Sequence, residues 1–485
     1  MKTSLFTKKT RIQAPVEDVF SWHEHDGAVE RLSPPWDKAE LVSKTGGIRT
    51  GAEVRLKIRP IGHIPVSWTA RHTGYEKNRF FRDRQVRGPF SSWVHTHHFL
   101  PDTENACIMV DSIEYALPFS TLVPAAMEKN VSSRLERIFS YRHRTLAADI
   151  ACHKTYDLSP MNILVSGAGG VIGSTLVSFL RTGGHRVGRL VRVSGSRSTA
   201  SNGIDVSYDP AGGWIDDGKM ENIDAVIHLA GETIGNVPWT RRKKKRILES
   251  RTQTTALIAR ALSALKNPPK VFACASAIGY YGDRRDEILT EKSVFGDDFI
   301  SHVCRQWEAA AAPAAAAGIR SVFLRIGIVL TPAGGALKTL LPVFSAGLGG
   351  RIGSGKQHVS WIGIDDVAGS FLHILADDAI EGPVNIVSPE PVRNERFIRI
   401  LGRVLGRPTP FAVPESIIGA VFGQMGRETA LSDTRVMPEK LLSTGYAFRH
   451  TALADALSHV LGADQTRTSP QNNPRNSALM GKIRL

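Results

Sequence analysis

Only four of the 485 residues are cysteine, and Cys107, Cys152, Cys274 and Cys304 stand singly, without a CxxC or CxxH pair. That excludes a disulfide framework and a zinc ribbon, and a reducing compartment fits best. No uncharged apolar run reaches the roughly 18 residues that a spanning helix needs. The opening MKTSLFTKKTRIQAP lacks the apolar core and small-residue cleavage site of a secretory signal, so the expected location is the cytoplasm. Acidic residues are outnumbered: 46 Asp and Glu stand against 61 Lys and Arg, a formal net charge of +15. The surplus points to an anionic partner, whether nucleic acid, anionic lipid or a phosphorylated cofactor. Composition does not choose among them. With 42% hydrophobic and 22% charged residues the chain has the balance of a globular protein, and its length is that of about three domains.

The first 150 residues alternate apolar and polar positions. A strand at 4–12 is followed by a compact helix in PVEDVFSW, then by period-2 stretches at 51–58, 66–75, 79–86, 92–100 and 106–115. From residue 121 the period lengthens: Val123, Met127, Val131, Leu135 and Phe139 recur every four residues, the stripe of a long amphipathic helix. This is an α+β pattern. The polar stretch 152–160 ends it, and βα alternation begins. Short apolar runs at 162–165, 186–191, 224–230, 270–275 and 321–330, separated by helix-length segments, imply parallel strands joined by crossovers in a doubly wound sheet. Trp307–Gly318 reads as a crossover helix disturbed at Pro313. Beyond about 385 the chain is helical and punctuated by proline. The expected domains are therefore 1–152, 160–385, a C-terminal lobe at 386–462, and a polar, disordered tail at 463–485.

The strongest chemical signal is NILVSGAGGVIGSTLVSFL, where Gly167, Gly170 and Gly173 lie between an apolar strand and an apolar helix. A dinucleotide pyrophosphate needs backbone N–H groups at a helix N-terminus with no side chain in the way, so the loop with Val171 and Ile172 is read as a cofactor cradle. An NAD site normally carries an acid after the second strand to hold the ribose 2′-OH. Here that strand carries Arg189, Arg192 and Arg197 instead. Arginine cannot accept from a hydroxyl but pairs with a 2′-phosphate, so NADP is expected in preference to NAD, with Arg192 as its ligand.

With the glycine loop, the segments DAVIHLAGETIG, PWTRRKKKRILESR, ASAIGYYGDR, GDDFISHVCRQWEAAA, LRIGIVL and GSGKQHVSWIGIDDVAG resemble the NAD-dependent epimerase/dehydratase-like branch of the extended short-chain dehydrogenases/reductases. More narrowly, they are similar to its epimerase-family subgroup with a C-terminal extension. PVEDVFSWH, RLSPPW, GPFSSWVHTHHF and FSYRHR resemble a START-like (SRPBCC, helix-grip) domain. The first resemblance implies a Rossmann-type sheet with His228, Leu229, Ala230 and Gly231 along the cofactor riboses, and Ser276 polarising a substrate oxygen. It also implies a Tyr-x-x-x-Lys pair for proton transfer. Counting back from Glu308, those positions hold Ile300 and Cys304, which cannot move a proton that way. Tyr280 and Tyr281 are the nearest replacements, with Arg284 or Arg325 as a supporting cation; on this reading Tyr281→Phe abolishes turnover. The second resemblance implies an apolar ligand between sheet and long helix, with Trp22, Trp36, Trp68 and Trp93 as walls.

Other constellations are weaker. The six consecutive cations Arg241–Arg246 suit a solvated helix face capped by Thr240 better than nucleic acid, since no interleaved aromatic platform accompanies them. Arg351 and Lys356 are substrate candidates, and Asp366 reads as a helix cap. His95 and His97 share a strand face with Trp93 and Phe99, but no neighbouring carboxylate is evident in the sequence, so no metal site is expected. Together these readings give an NADP(H)-binding oxidoreductase or nucleotide-sugar-epimerase-like protein acting on a carbonyl or alcohol carbon of a small molecule. The alternative is a non-catalytic NADP(H)-dependent sensor.

Overall fold

The computed structural model describes residues 2–37, 39–59, 64–118, 125–193, 204–235 and 237–463. Arg197 and nearly all of the expected tail lie outside them. The described chain forms two compact units, one of residues 1–160 with 178–185 and one of the remainder.

In the first unit seven antiparallel strands form one sheet: β1 (Ser4–Ile12), β2 (Glu40–Thr45), β3 (Glu53–Ile58), β4 (Val66–Glu76), β5 (Phe80–Arg87), β6 (Ser92–Thr103) and β7 (Ala106–Ala116). Their order is β1-β7-β6-β5-β4-β3-β2, so every pair but β1–β7 is a sequential hairpin. The expected long helix runs over Ala125–Tyr156, four residues beyond the expected end of the domain. It buries Leu135 and Phe139 against Phe6, Trp93, Ile113 and Tyr115 of the sheet, burial that period 2 on one element and period 3.6 on the other make possible. This is the helix-grip arrangement. The strand β2 was not anticipated: it is the sheet edge and almost wholly exposed.

The second unit is built on an eight-stranded sheet. Its strands are β8 (Asn162–Ser166), β9 (Arg186–Arg192), β10 (Val206–Asp209), β11 (Trp214–Ile215), β12 (Ala225–His228), β13 (Val271–Ala277), β14 (Arg320–Ile326) and β15 (Gly382–Ile386), in the order β11-β10-β9-β8-β12-β13-β14-β15. All pairs are parallel except β10–β11. The order reverses at β8, so the crevice beyond the carboxyl ends of β8 and β12 is where such a sheet takes a ligand. The helix expected at Trp307–Gly318 is broken as Pro313 requires: one helix, Phe299–Ala309, ends and a short one restarts at Ala312 with the proline in its first turn. Among the described residues no helix is long and apolar enough to cross a membrane.

The C-terminal segment belongs to the second unit and is held by two adjacent carboxylates. Asp365 meets His459 Nε2 at 2.8 Å, while Asp366 accepts from the Arg449 and His450 amides at 2.7 and 3.2 Å and from the Tyr446 hydroxyl. Asp366 is therefore structural as expected but not a cap, since the capping position of its helix is Gly363. Burial pushes its carboxyl up to about 6 against those donors. The cation run behaves differently along its length. The Thr240 hydroxyl caps the helix by accepting from the Lys243 amide at 3.2 Å, and Lys243 turns inward to Glu232 at 2.7 Å. Arg241, Arg242, Lys245 and Arg246 face solvent.

Candidate functional site

The glycine loop joins β8 to the helix Val171–Thr182, and its glycines are needed for steric reasons. Gly167 has φ +69°, and a Cβ there would lie 2.9 Å from the Leu229 carbonyl carbon and the Ala230 nitrogen. At Gly173 a Cβ would lie 2.2 Å from the Gly167 oxygen and 2.8 Å from Ala168 Cα, so the first helical turn presses directly on the loop. Gly170 closes the turn by donating its N–H to the Gly167 carbonyl at 2.9 Å. Around Gly169, by contrast, nothing lies within 4 Å. Val171 and Ile172 pack their side chains on the adjoining core; only their backbone N–H groups, which lack intrahelical acceptors, are left to meet an anion.

Beside the loop, the Ser166 hydroxyl accepts from the Leu229 and Ala230 amides at 3.1 and 3.3 Å and lies 2.5 Å from His228 Nδ1. Since that oxygen already accepts two N–H groups, its own proton goes to Nδ1, which leaves the imidazole proton on Nε2. His228 is fully buried, and burial first, then the Arg251 charge, holds its pKa down at about 3. Its ring is thus a neutral brace for the loop and not a cofactor wall, a correction to the expected role. The backbone of Leu229, Ala230 and exposed Gly231 borders the crevice instead.

The three arginines near the second strand separate clearly. Arg189 is neutralised by Asp205, to which it donates at 2.6 and 3.0 Å. Arg192 is exposed at the carboxyl end of β9, and Arg197 is not described.

Ser276 ends β13 and opens a buried polar chain. Its hydroxyl donates to Glu308 Oε1 at 2.7 Å, and Arg325 grips both Glu308 oxygens at 2.9 Å each. Arg325 Nη1 also donates to the Tyr281 hydroxyl at 3.0 Å, which donates in turn to Asn385 Oδ1 at 2.6 Å. Burial works most strongly against the Arg325 charge, but the hydrogen bonds and charges of Glu308 and Tyr281 together offset it and hold its pKa above the ordinary value. Tyr281 has no exposed surface, and burial pushes its phenol up to about 12 in spite of Arg325. Its proton is committed to Asn385, and its oxygen accepts from Arg325. Tyr281→Phe is expected to lower unfolding stability by about 1–3 kcal/mol, measured by urea denaturation, because Arg325 and Asn385 lose a partner. Tyr280 differs: it is half-buried, its ring lies 3.4 Å from the Arg325 guanidinium carbon, and its hydroxyl has no hydrogen-bond partner among the described residues.

Of the two cations proposed for these tyrosines, Arg325 is in place, whereas Arg284 is occupied at the surface by Glu287. Ile300 and Cys304 sit in an apolar cluster with Trp239, Ile247 and Met425. Burial pushes the Cys304 thiol up to about 12. Arg351, in the short strand Gly350–Ile352, and Lys356 are exposed on either side of the turn at Gly353–Gly355, and no described hydrogen bond or ion pair links them to the Ser276 chain.

The first unit contains a cavity of about 920 Å³ between sheet and long helix, walled by Trp68, Phe81, Phe90, Trp93, Ile138 and Phe139 among others. Trp22 and Trp36 are not part of it: Trp22 is core and Trp36 packs edge-on to Tyr141. The reading that the histidines lack a carboxylate is also corrected, since Asp83 and Asp111 both reach them. Among the described residues two groups have metal-ligand spacing, Asp83–His95–His97 and the more exposed Asp286–His358–Asp433.

Residues 163–387 match the NAD dependent epimerase/dehydratase family, residues 12–142 the polyketide cyclase/dehydrase and lipid transport family, and residues 413–460 a domain of unknown function. An epimerase family protein of Mycobacterium bovis is 35% identical over 297 residues, 61% of this chain and 96% of the relative. A crystal structure described as a nucleoside-diphosphate sugar epimerase of Corynebacterium glutamicum matches 99% of this chain and 97% of its own at 30% identity and TM-score 0.76. A human epimerase family protein solved with NADPH matches 62% of this chain and 99% of its own, at 34% identity and TM-score 0.56.

Proposed function

Because the chain belongs to the epimerase family, we propose that the glycine loop holds NADP(H) and that the protein uses it at a carbonyl or alcohol carbon of a small molecule. The observation that carries the choice of NADP is Arg192, an exposed cation that no described residue neutralises, at the end of β9 where an NAD site has an acid. The human relative's NADPH supports the same choice. Gly167, Gly170 and Gly173 keep the pyrophosphate approach clear, the N–H groups of Val171 and Ile172 face it, and Leu229–Gly231 border the riboses. When bound, the nicotinamide supplies or accepts a hydride. Ser276 then turns its hydroxyl from Glu308 to the substrate oxygen, and Tyr280, whose hydroxyl is uncommitted, exchanges the proton. Tyr281 and the Glu308–Arg325 pair are positioning residues. Arg351 and Lys356 serve as candidates for an anionic group of the substrate. The first unit's cavity takes an apolar molecule, and the domain limits follow the two observed units.

Arg192→Ala is expected to weaken NADPH binding by about 10–100-fold, the value of one or two charge-assisted hydrogen bonds, and to leave NADH nearly unchanged. The melting shift given by each nucleotide measures this. An equal loss for both nucleotides would overturn the assignment. The burial of Ile300 and Cys304 favours a second reading, a non-catalytic NADP(H) sensor. Consumption of NADPH with a carbonyl substrate, lost in Tyr280→Phe, decides for the enzyme; turnover unchanged in that variant removes Tyr280 from the mechanism.

A further inference from the structure

We propose that Asp83, His95 and His97 form a binding site for one divalent transition-metal ion in the wall of the N-terminal cavity. The site is independent of the nucleotide site. Asp83 on β5 is the direct cross-strand partner of His95 on β6, and His97 follows two residues later on the same face. One ligand atom from each of the three lies within 4.8 Å of the other two, a span that a single ion can bridge with small rotamer changes. Two imidazoles and one carboxylate suit zinc, cobalt or ferrous iron better than calcium or magnesium, which prefer an all-oxygen shell.

The surroundings are those of a held ligand set. Metal-bound histidines usually give their second ring nitrogen to a carboxylate, which orients the ring. Asp111, 1% exposed, is in that position for both: its Oδ1 lies 3.2 Å from His95 Nε2 and 2.5 Å from His97 Nδ1. The contact with His97 is close but is not a hydrogen bond, so this ring nitrogen is left without a hydrogen-bond partner among the described residues. Asp111 Oδ2 is itself held by His143 Nε2 at 2.6 Å, and His143 Nδ1 by the Thr10 hydroxyl at 2.8 Å. With Nε2 of His95 on Asp111, its Nδ1 is directed at Asp83, 3.4 Å away.

Asp83, His95 and His97 all line the cavity, whereas Asp111 and His143 stand behind them. An ion there keeps at least one coordination position open to the cavity, the arrangement of a site that binds a ligand and not of a closed structural one. Two more buried histidines on the wall, His23 and His72, each keep one ring nitrogen without a hydrogen-bond partner among the described residues. A polar, solvated or ligated ion in the cavity would give them one. The class of cavity ligand implied is an apolar molecule with a single oxygen donor for the ion.

The test uses the full chain, stripped with a chelator and titrated with Co²⁺. One equivalent is expected to bind, to give the visible bands of a four- or five-coordinate ion, and to be displaced by Zn²⁺. Asp83→Asn and His97→Gln should each weaken Co²⁺ binding by about 100-fold or more, and Asp111→Asn by about 10–100-fold. Asp433→Asn, in the other candidate group, should leave the stoichiometry unchanged. Metal-free melting curves report whether each variant folds. X-ray absorption of the Zn²⁺-loaded wild-type protein gives an answer that no variant can confuse: a first shell of imidazole nitrogen and carboxylate oxygen is expected. Failure of the wild-type chain to bind, sulfur in the first shell, or equal affinity in folded Asp83→Asn would overturn the proposal.

Discussion

Gly173→Val is expected to abolish the melting shift that NADPH gives the wild-type chain, with binding weakened by about 100-fold or more, a loss near 2.7 kcal/mol. The reason is distance. Even the first carbon of the new side chain would sit 2.2 Å from the Gly167 carbonyl oxygen, far inside van der Waals contact, and what it meets is backbone that cannot rotate away. The loop must lift off the helix, and the N–H groups that would face a pyrophosphate lose their common direction. Gly169→Ala separates a misshapen loop from a blocked one. A Cβ there has open space and no unusual φ to satisfy, so the ligand-free melting temperature should hold while NADPH binding falls, because the proposed pyrophosphate site needs the space it fills. If Gly173→Val kept the full NADPH shift, the nucleotide would have to bind elsewhere.

How much of this was legible in the sequence depends on what each element buries. The strands β6, β8, β12 and β13 show in their apolar patterns because one or both faces are covered. The strand β2 does not show, since an exposed edge strand such as ELVSKT needs no apolar alternation. The strand β15 is hidden for a related reason: GPVNI carries Pro383, which only an edge or bulged position tolerates, and β15 is the other edge of its sheet. The glycine loop was legible because its chemistry is local.

The Ser276–Glu308–Arg325–Tyr281–Asn385 chain was not, because its members come together only when β13, β14 and β15 lie side by side and the helix Phe299–Ala309 packs on β13. One signal was nonetheless present. Arg325 interrupts the apolar run SVFLRIGIVL, and Asp111 interrupts CIMVDSI on the inward face of β7. A charge at the centre of a buried strand is seldom there without a partner. Reading such interruptions as pairing sites would have pointed to Glu308 for one and to the histidines of β6 for the other.

Arg325→Met should lower the unfolding free energy of the second unit by about 3–5 kcal/mol, the usual cost of removing one member of a buried ion pair. Arg325 is 3% exposed and Glu308 11%, so among the described residues the carboxylate left behind would keep only the Ser276 hydroxyl as a partner. Much of the loss is therefore the penalty for an uncompensated charge, not the worth of the pair. The double variant Arg325→Met, Glu308→Met distinguishes the two. Without a buried charge it should regain most of the stability, short of about 1 kcal/mol for the hydrogen bond that Tyr281 has lost. It should also leave Ser276 without its acceptor, so that stability recovers while any turnover does not. Urea unfolding of the two single variants and the double one, with NADPH consumption measured alongside, closes the cycle. A double variant as unstable as the sum of the singles would mean that Arg325 acts through its packing on Tyr280 and Tyr281, with the carboxylate a bystander.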